Sequence, residues 1–370
     1  MKNTQVEIHL GALRANVQQI RAELRPGTEL MCVVKADAYG HGLLPVARSA
    51  AAAGAQWFAV AHLHEALELR RVLPRAEILL LGVAAAGDCA ALLDARIVPS
   101  IVSEEQGDFL ARTAAARGRK LSAHLKVDTG MGRLGVPWAE ALAIYQRLRA
   151  RPALDLSGVF THFASVESAR PSLGPAQMER FSEIARELEA MTGRRLFKHA
   201  SSSRAFLYYP DWDLDGVRPG IVLYGYGAGE RNMRVRTEPV LRWRTQVAQV
   251  KAVPANFPVG YYSAYVTAAP TTLATLAVGY ADGYHRALGN RGFVLLGGRR
   301  CPVVGRVSMN WITVDCGPVS EVRAGDEAVL IGQQGGESIW ADELAKLART
   351  IPYEILTSIH PAAERVALGG

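Results

Sequence analysis

From Glu29 to Gly225 the chain repeats one pattern: a short run of apolar, β-favouring residues, then a segment with apolar residues at helical spacing. The strand-like runs are Glu29–Val34, Trp57–Ala61, Glu77–Leu81, Val98–Val102, Leu121–Val127, Leu154–Thr161, Leu196–His199 and Asp215–Arg218. Helical spacing between them is clearest at Phe181, Ile184, Ala185 and Leu188. A helix after each strand returns the chain to the sheet in the same direction, so the strands must run parallel. Eight such units predict an α/β fold, a closed (β/α)8 TIM-type barrel. An open doubly wound sheet is the alternative, but no glycine fingerprint follows the first strand.

After about Tyr226 the pattern changes. Leu241–Val253, Thr272–Val278, Phe293–Leu296, Val303–Val307 and Glu327–Ile331 are strand-like, with glycine-rich turns between them and one helical segment at Trp340–Arg349. This predicts a barrel over residues 11–230 and a mostly-β domain over residues 231–370. The opening run Gln5–Leu10 is surplus to the eight strands and is expected to join the second domain.

The 370 residues suit a barrel plus a smaller module. The formal charge is +7, yet the arginines alternate with glutamates along helical faces, as from Arg180 to Glu189. No nucleic-acid motif accompanies the charge. No uncharged apolar run is long enough to span a bilayer, and the N-terminus lacks an apolar leader, so a cytoplasmic protein is expected. Cys32, Cys89, Cys301 and Cys316 show no metal or redox spacing.

Barrel sites form where strands end. The run VVKADAYGHG delivers Lys35 at the end of the first barrel strand. A lysine amine forms a Schiff base with pyridoxal phosphate, and a low-dielectric pocket lowers its pKa enough for it to act as a base. A solvated lysine in a strand-end loop fits these ten residues too. Other polar residues converge on the same rim. Lys126 lies at the end of the fifth strand with Arg133 in its loop, and His162 follows the sixth. His199 ends the seventh, with Ser201 to Ser203 next; Arg218 ends the eighth, before Gly220 and Ile221.

The serines and the backbone amides near Gly220 offer donors for a phosphate, and Tyr39 adds a hydroxyl. Arg218 facing a pyridine nitrogen can only donate, so that nitrogen stays unprotonated and the cofactor becomes a weaker electron sink. A metal site from His162 and His199 is the competing idea, without a recognisable ligand motif.

These residues resemble the alanine racemase family along essentially the whole chain. The matching motifs are VVKADAYGHG, KVDTGMGRLG (Lys126–Gly135), THFA (Thr161–Ala164), VRPGIVLYG (Val217–Gly225), VGYADGY (Val278–Tyr284) and GRVSMN (Gly305–Asn310). The resemblance implies a barrel with a C-terminal β domain, pyridoxal 5'-phosphate on Lys35, and a head-to-tail homodimer whose active sites are shared. It also implies two bases, because a planar carbanion must be protonated on the face opposite the one deprotonated. Lys35 serves D-alanine and Tyr261 of the partner subunit serves L-alanine; Tyr262 and Tyr265 are the neighbouring candidates. Further implied roles are carboxylate binding by Arg133, substrate contacts by Met309 and Tyr280, cofactor contacts by Tyr39, His162, Ser203, Arg218, Gly220, Ile221 and Tyr353, and carbamylation of Lys126. No metal is implied.

Three positions depart from the family pattern. Asn310 stands where aspartate is usual, Ser202 where asparagine is common, and the tail HPAAERVAL lacks the arginine–proline pattern. The implied activity is interconversion of L- and D-alanine, supplying D-alanine for peptidoglycan. A broader-range racemase, a decarboxylase and a non-catalytic cofactor-binding protein are the rivals. The candidate tyrosine and the GYADG segment argue against a decarboxylase, and the bipartite chain argues against a mere binding protein.

Overall fold

A computed structural model describes residues 4–166, 173–227, 233–317, 319 and 321–369. After a first strand β1 (Thr4–His9), eight strands form the barrel: β2 (Glu29–Val33), β3 (Trp57–Val60), β4 (Glu77–Val83), β5 (Val98–Ile101), β6 (Leu121–Asp128), β7 (Leu154–Phe160), β8 (Phe197–Ser202) and β9 (Gly216–Arg218). Each pairs in parallel with the next, and β9 pairs with β2 to close the ring. Closure removes both sheet edges, and the helices cover the outer face. The helix Gly174–Thr192 shows how: Met178, Phe181, Ile184, Ala185 and Leu188 are buried along one stripe, and Gly193 ends it in the left-handed conformation.

The second domain is built on β10 (Leu241–Val253), β11 (Thr271–Leu276), β12 (Phe293–Leu296), β13 (Arg299–Val304), β14 (Ile312–Asp315), β15 (Glu327–Gln334), β16 (Glu337–Ile339) and β17 (Glu364–Leu368). The sheet curls so that β15 pairs with β12 and β10. The surplus first strand joins this sheet, antiparallel to β10 and parallel to β17. The buried Asn16 then ties the first barrel helix, Leu10–Ala22, to the connection between domains. Its amide donates to the carbonyls of Leu223 and Glu238, and its oxygen accepts from the Glu238 N–H. The expected boundary between Glu230 and Arg231 lies outside the described residues.

Two local expectations change. The seventh barrel strand runs on through Ser202, so His199 and Ser201 lie inside it, buried, instead of at its end. Cys301 and Cys316 also come together. The β13–β14 register pairs Val303 with Val314, which sets the two buried cysteines opposite each other. That proximity is created by strand pairing, so sequence spacing carried no trace of it.

Candidate active site

The barrel's C-terminal rim opens into a cavity of about 460 Å³, lined by Lys35, Tyr39, Lys126, Arg133, His162 and Arg218 and by Ser202, Ser203, Gly220 and Tyr353. The first group carries charge and proton chemistry; the second forms a polar cradle.

Lys35 opens directly into an unusual turn. Ala36, Asp37, Ala38 and Tyr39 all adopt left-handed backbone angles, with φ from 52° to 56°. Such angles cost roughly 1–2 kcal/mol for each L-residue, so surrounding contacts must hold the turn. The Asp37 carboxylate accepts from the Leu43 N–H at 2.7 Å, and Arg365 donates to the Gly40 carbonyl at 2.8 Å. Gly40 lies so close to the Leu356 carbonyl that a Cβ would come within 2.5 Å of its oxygen. The turn brings both Lys35 and Tyr39 to the cavity. Burial, and then the Arg133 charge, lower the Lys35 pKa, while Glu65 opposes them.

The cradle is made by close approach. A Cβ on Gly220 would overlap the Tyr39 hydroxyl. Ser203 Oγ accepts from the N–H groups of Gly220 at 2.8 Å and Val222 at 3.4 Å, which leaves its own proton to donate. Tyr353 reaches the cavity from the second domain's helix Pro352–Thr357 and packs beside Tyr39, with ring centroids 5.8 Å apart.

Arg218 is buried at the floor. It donates to His199 Nδ1 at 2.7 Å and to the carbonyls of Thr161 at 2.7 Å and Ala200 at 3.0 Å. Arginine only donates, so His199 Nδ1 must accept and its Nε2 must carry the proton. That proton points to His124 Nδ1, 2.9 Å away. Both ring nitrogens of His199 are thus engaged within the protein, which speaks against pairing with His162 on a metal. Phe160 lies beneath both cations, its centroid 5.7 Å from Lys126 Nζ and 5.3 Å from the Arg218 guanidinium.

The cavity is strongly cationic. Burial first, then Arg133 and Arg218, pull the Lys126 amine down to about 8. Burial and the four cations around it push His162 down to about 3, so it is neutral at physiological pH. The Arg133 loop is held by Asp128, whose carboxylate accepts from the N–H groups of Gly130, Met131 and Gly132. Burial would raise the Asp128 carboxyl, but these amides outweigh it.

Tyr261, Tyr280 and Met309 do not line this cavity. They lie on the second domain, 65%, 43% and 56% exposed. They are nonetheless organised: the Tyr280 N–H bonds the Ser308 carbonyl, the Ala281 N–H bonds the Met309 carbonyl, and Asn290 bridges Ala264 and Gly305. Asn310 is exposed beside Met309. Ile221 is buried behind Gly220. Sequence reading missed Glu65, His124 and Arg365; each acts through contacts distant in sequence, and only an acid in the first turn of a helix hinted at Glu65.

A phosphate-sized anion fits a floor of buried cations and a donor cradle, and an aldehyde fits a half-buried lysine of lowered pKa; the residues suit pyridoxal phosphate. This defines a barrel enzyme of the pyridoxal-phosphate-dependent class. Residues 8–228 match the family model for the alanine racemase N-terminal domain, and residues 240–367 match that for the alanine racemase C-terminal domain. An alanine racemase of Desulfosudis oleivorans is 42% identical, with 98% of this chain and 96% of that protein covered. The alanine racemase of Streptomyces lavendulae superposes with a TM-score of 0.94 at 36% identity, covering 100% of this chain and 98% of that one. The alanine racemase of Bartonella henselae, solved with covalently bound pyridoxal phosphate, gives 0.89 at 30% identity, covering 99% of each. The chain belongs to the alanine racemase family.

Proposed function

We propose that this chain interconverts L- and D-alanine with pyridoxal 5'-phosphate, in the cytoplasm, supplying D-alanine for peptidoglycan. The observation that carries this reading is a cavity that joins Lys35 to four other cationic or imidazole groups while holding a polar cradle opposite them. Bound pyridoxal phosphate supplies an electron sink that acidifies the Cα–H of an amino acid joined to its aldehyde carbon.

The chain's own residues do the rest. Ser203, Gly220, Ile221, Tyr39 and Tyr353 would hold the phosphate, and Arg218 would donate to the ring nitrogen and so keep it unprotonated. His162, neutral at physiological pH, lines the cavity and would pack against the ring. Arg133 binds the substrate carboxylate. Lys126, with its pKa near 8, is partly neutral and therefore nucleophilic towards carbon dioxide; as a carbamate it becomes an anion that orients Arg133 and relieves the crowding of cations.

Lys35 moves the Cα proton on the face used by D-alanine. Tyr261, Tyr280 and Met309 do not line that cavity and form an exposed set on the second domain. A head-to-tail homodimer brings them together: Tyr261 of the partner subunit moves the proton on the L-alanine face, and Met309 of the partner subunit and Tyr280 of the partner subunit contact the substrate. We further propose the division into a barrel over residues 11–230 and a second domain over residues 231–370 with strand 1–10.

The test is D-alanine formation from enantiopure L-alanine by purified protein with added pyridoxal phosphate, beside Lys35→Ala. Activity lost in the variant supports the assignment. No D-alanine from protein that binds the cofactor refutes it, and racemisation of other L-amino acids would give the broader-range racemase that Asn310 keeps open.

A further inference from the structure

We infer that Glu65 is a positioning residue for Lys35: its carboxylate fastens the left-handed turn that carries the lysine into the cavity. The inference rests on the reading of Lys35 as the cofactor-bearing residue.

Glu65 is 5% exposed and lies in the first turn of the helix Leu63–Val72, which follows β3. Its Oε1 accepts from the Ala36 N–H at 2.6 Å. Its Oε2 accepts from the N–H groups of Ala61 and His62, both at 3.0 Å. One carboxylate thus joins the residue directly after Lys35 to the loop leaving the neighbouring strand. Because Ala36 begins the run of four left-handed residues, the bond acts where the chain departs from ordinary geometry. A helix needs only one capping acceptor at this position, and the reach across to Ala36 exceeds that need.

The same side chain sets charge. Among the groups acting on Lys35, Arg133 lowers its pKa and Glu65 raises it, and Lys126 and His162 share the cavity. Glu65 therefore holds the amine in place and tempers the cationic surroundings that would otherwise strip its proton.

The two oxygens give a sharp substitution. Glutamine keeps the shape of the side chain but has one acceptor atom. With its oxygen towards the Ala61 and His62 amides, its NH2 group faces the Ala36 N–H, donor against donor. Glu65→Gln should then loosen the turn selectively at Lys35. Glu65→Asp keeps the charge and shortens the reach.

Three measurements on the full-length protein test this. Quantitative mass spectrometry of Lys35 acetylation against pH, in cofactor-free protein, reads the amine's own titration. Release of pyridoxal phosphate from the loaded protein reads the geometry. Borohydride trapping followed by peptide mapping identifies the lysine that carries the cofactor. In Glu65→Gln the labelling midpoint should fall by about half a pH unit or more, and release should quicken by about tenfold. Glu65→Asp should restore the midpoint and still release the cofactor faster than wild type. Should Glu65→Gln lose its native circular dichroism, Glu65→Asp alone decides: wild-type release overturns the proposal. A folded Glu65→Gln with unchanged midpoint and release also overturns it. If trapping places the cofactor on another lysine, the reading of Lys35 fails; if it places it on Lys35 while Glu65→Gln is silent, only the role of Glu65 fails.

Discussion

The Tyr39 hydroxyl occupies the space that a side chain at Gly220 would need. The two residues come from opposite ends of the barrel sequence, one in the turn after β2 and one after β9, strands that pair directly. Gly220 has φ −120°, outside the left-handed region, and the close approach of Tyr39 is what calls for glycine there. Gly220→Ala should displace Tyr39 and close the cradle. Fluorescence titration with pyridoxal phosphate should show affinity lowered by about tenfold or more, with the fold retained.

Tyr261→Phe removes one of the two proposed proton carriers and leaves Lys35 intact. Racemisation should slow in both directions by about a hundredfold or more, since the same path is traversed either way. The variant should still exchange the Cα hydrogen of D-alanine with deuterated solvent, without inversion, and should exchange that of L-alanine far more slowly. Equal exchange from both enantiomers, followed by nuclear magnetic resonance, would remove Tyr261 from the mechanism.

If each active site takes Lys35 from one chain and Tyr261 from the other, two inactive variants complement. In a mixed dimer of Lys35→Ala and Tyr261→Phe chains, one site has neither residue and the other has both. Random reassortment of equal amounts should recover about a quarter of wild-type activity. No recovery after verified subunit exchange would show that each chain completes its own site.

Lys126 offers a chemical test of its proposed modification. Protein equilibrated with carbon-13 bicarbonate should give a carbamate resonance that Lys126→Ala lacks. The signal should weaken as pH falls below about 8, where the amine becomes protonated and ceases to be nucleophilic.

Three wholly buried histidines set the acid limit of stability. Burial pushes His41 down to about 4 and His124 down to about 3, and holds His199 well below its ordinary range, with Arg365 acting on His41 and Arg218 on the other two. The unfolded chain binds these protons near pH 6.5, so it takes up more of them than the folded chain below that value. The contribution of these histidines should therefore be level above about pH 6.5 and fall on acidification towards pH 4, by up to about 1.4 kcal/mol per pH unit for each histidine. Urea midpoints at several pH values check this, and His124→Asn should flatten the slope by about a quarter, since His162 is held down to about 3 as well.

All eight barrel strands were legible within a few residues because strand–helix alternation is written locally, in the spacing of apolar side chains. The first strand reads as surplus to the eight, and in the structure it pairs with β10 and β17. The charged residues of the rim were legible too, since they end strands or follow them directly. Strands β14, β16 and β17 and the helix Pro352–Thr357 were not, because they are short and owe their order to neighbours, and the strand expected at Val303–Val307 is β13, Arg299–Val304.

The sequence by itself determined the alternation that closes a parallel barrel, the residues available at its rim, and the family to which they point. Periodicity and chemistry of side chains are properties of neighbours along the chain. Only the tertiary structure decided that Lys35 enters through a left-handed turn held by Glu65 and Arg365, that Arg218 fixes the proton on His199, and that Tyr261 lies outside its own chain's cavity. Each of these depends on a contact between segments far apart in sequence, where loop closure and packing select one geometry that local preference alone would not.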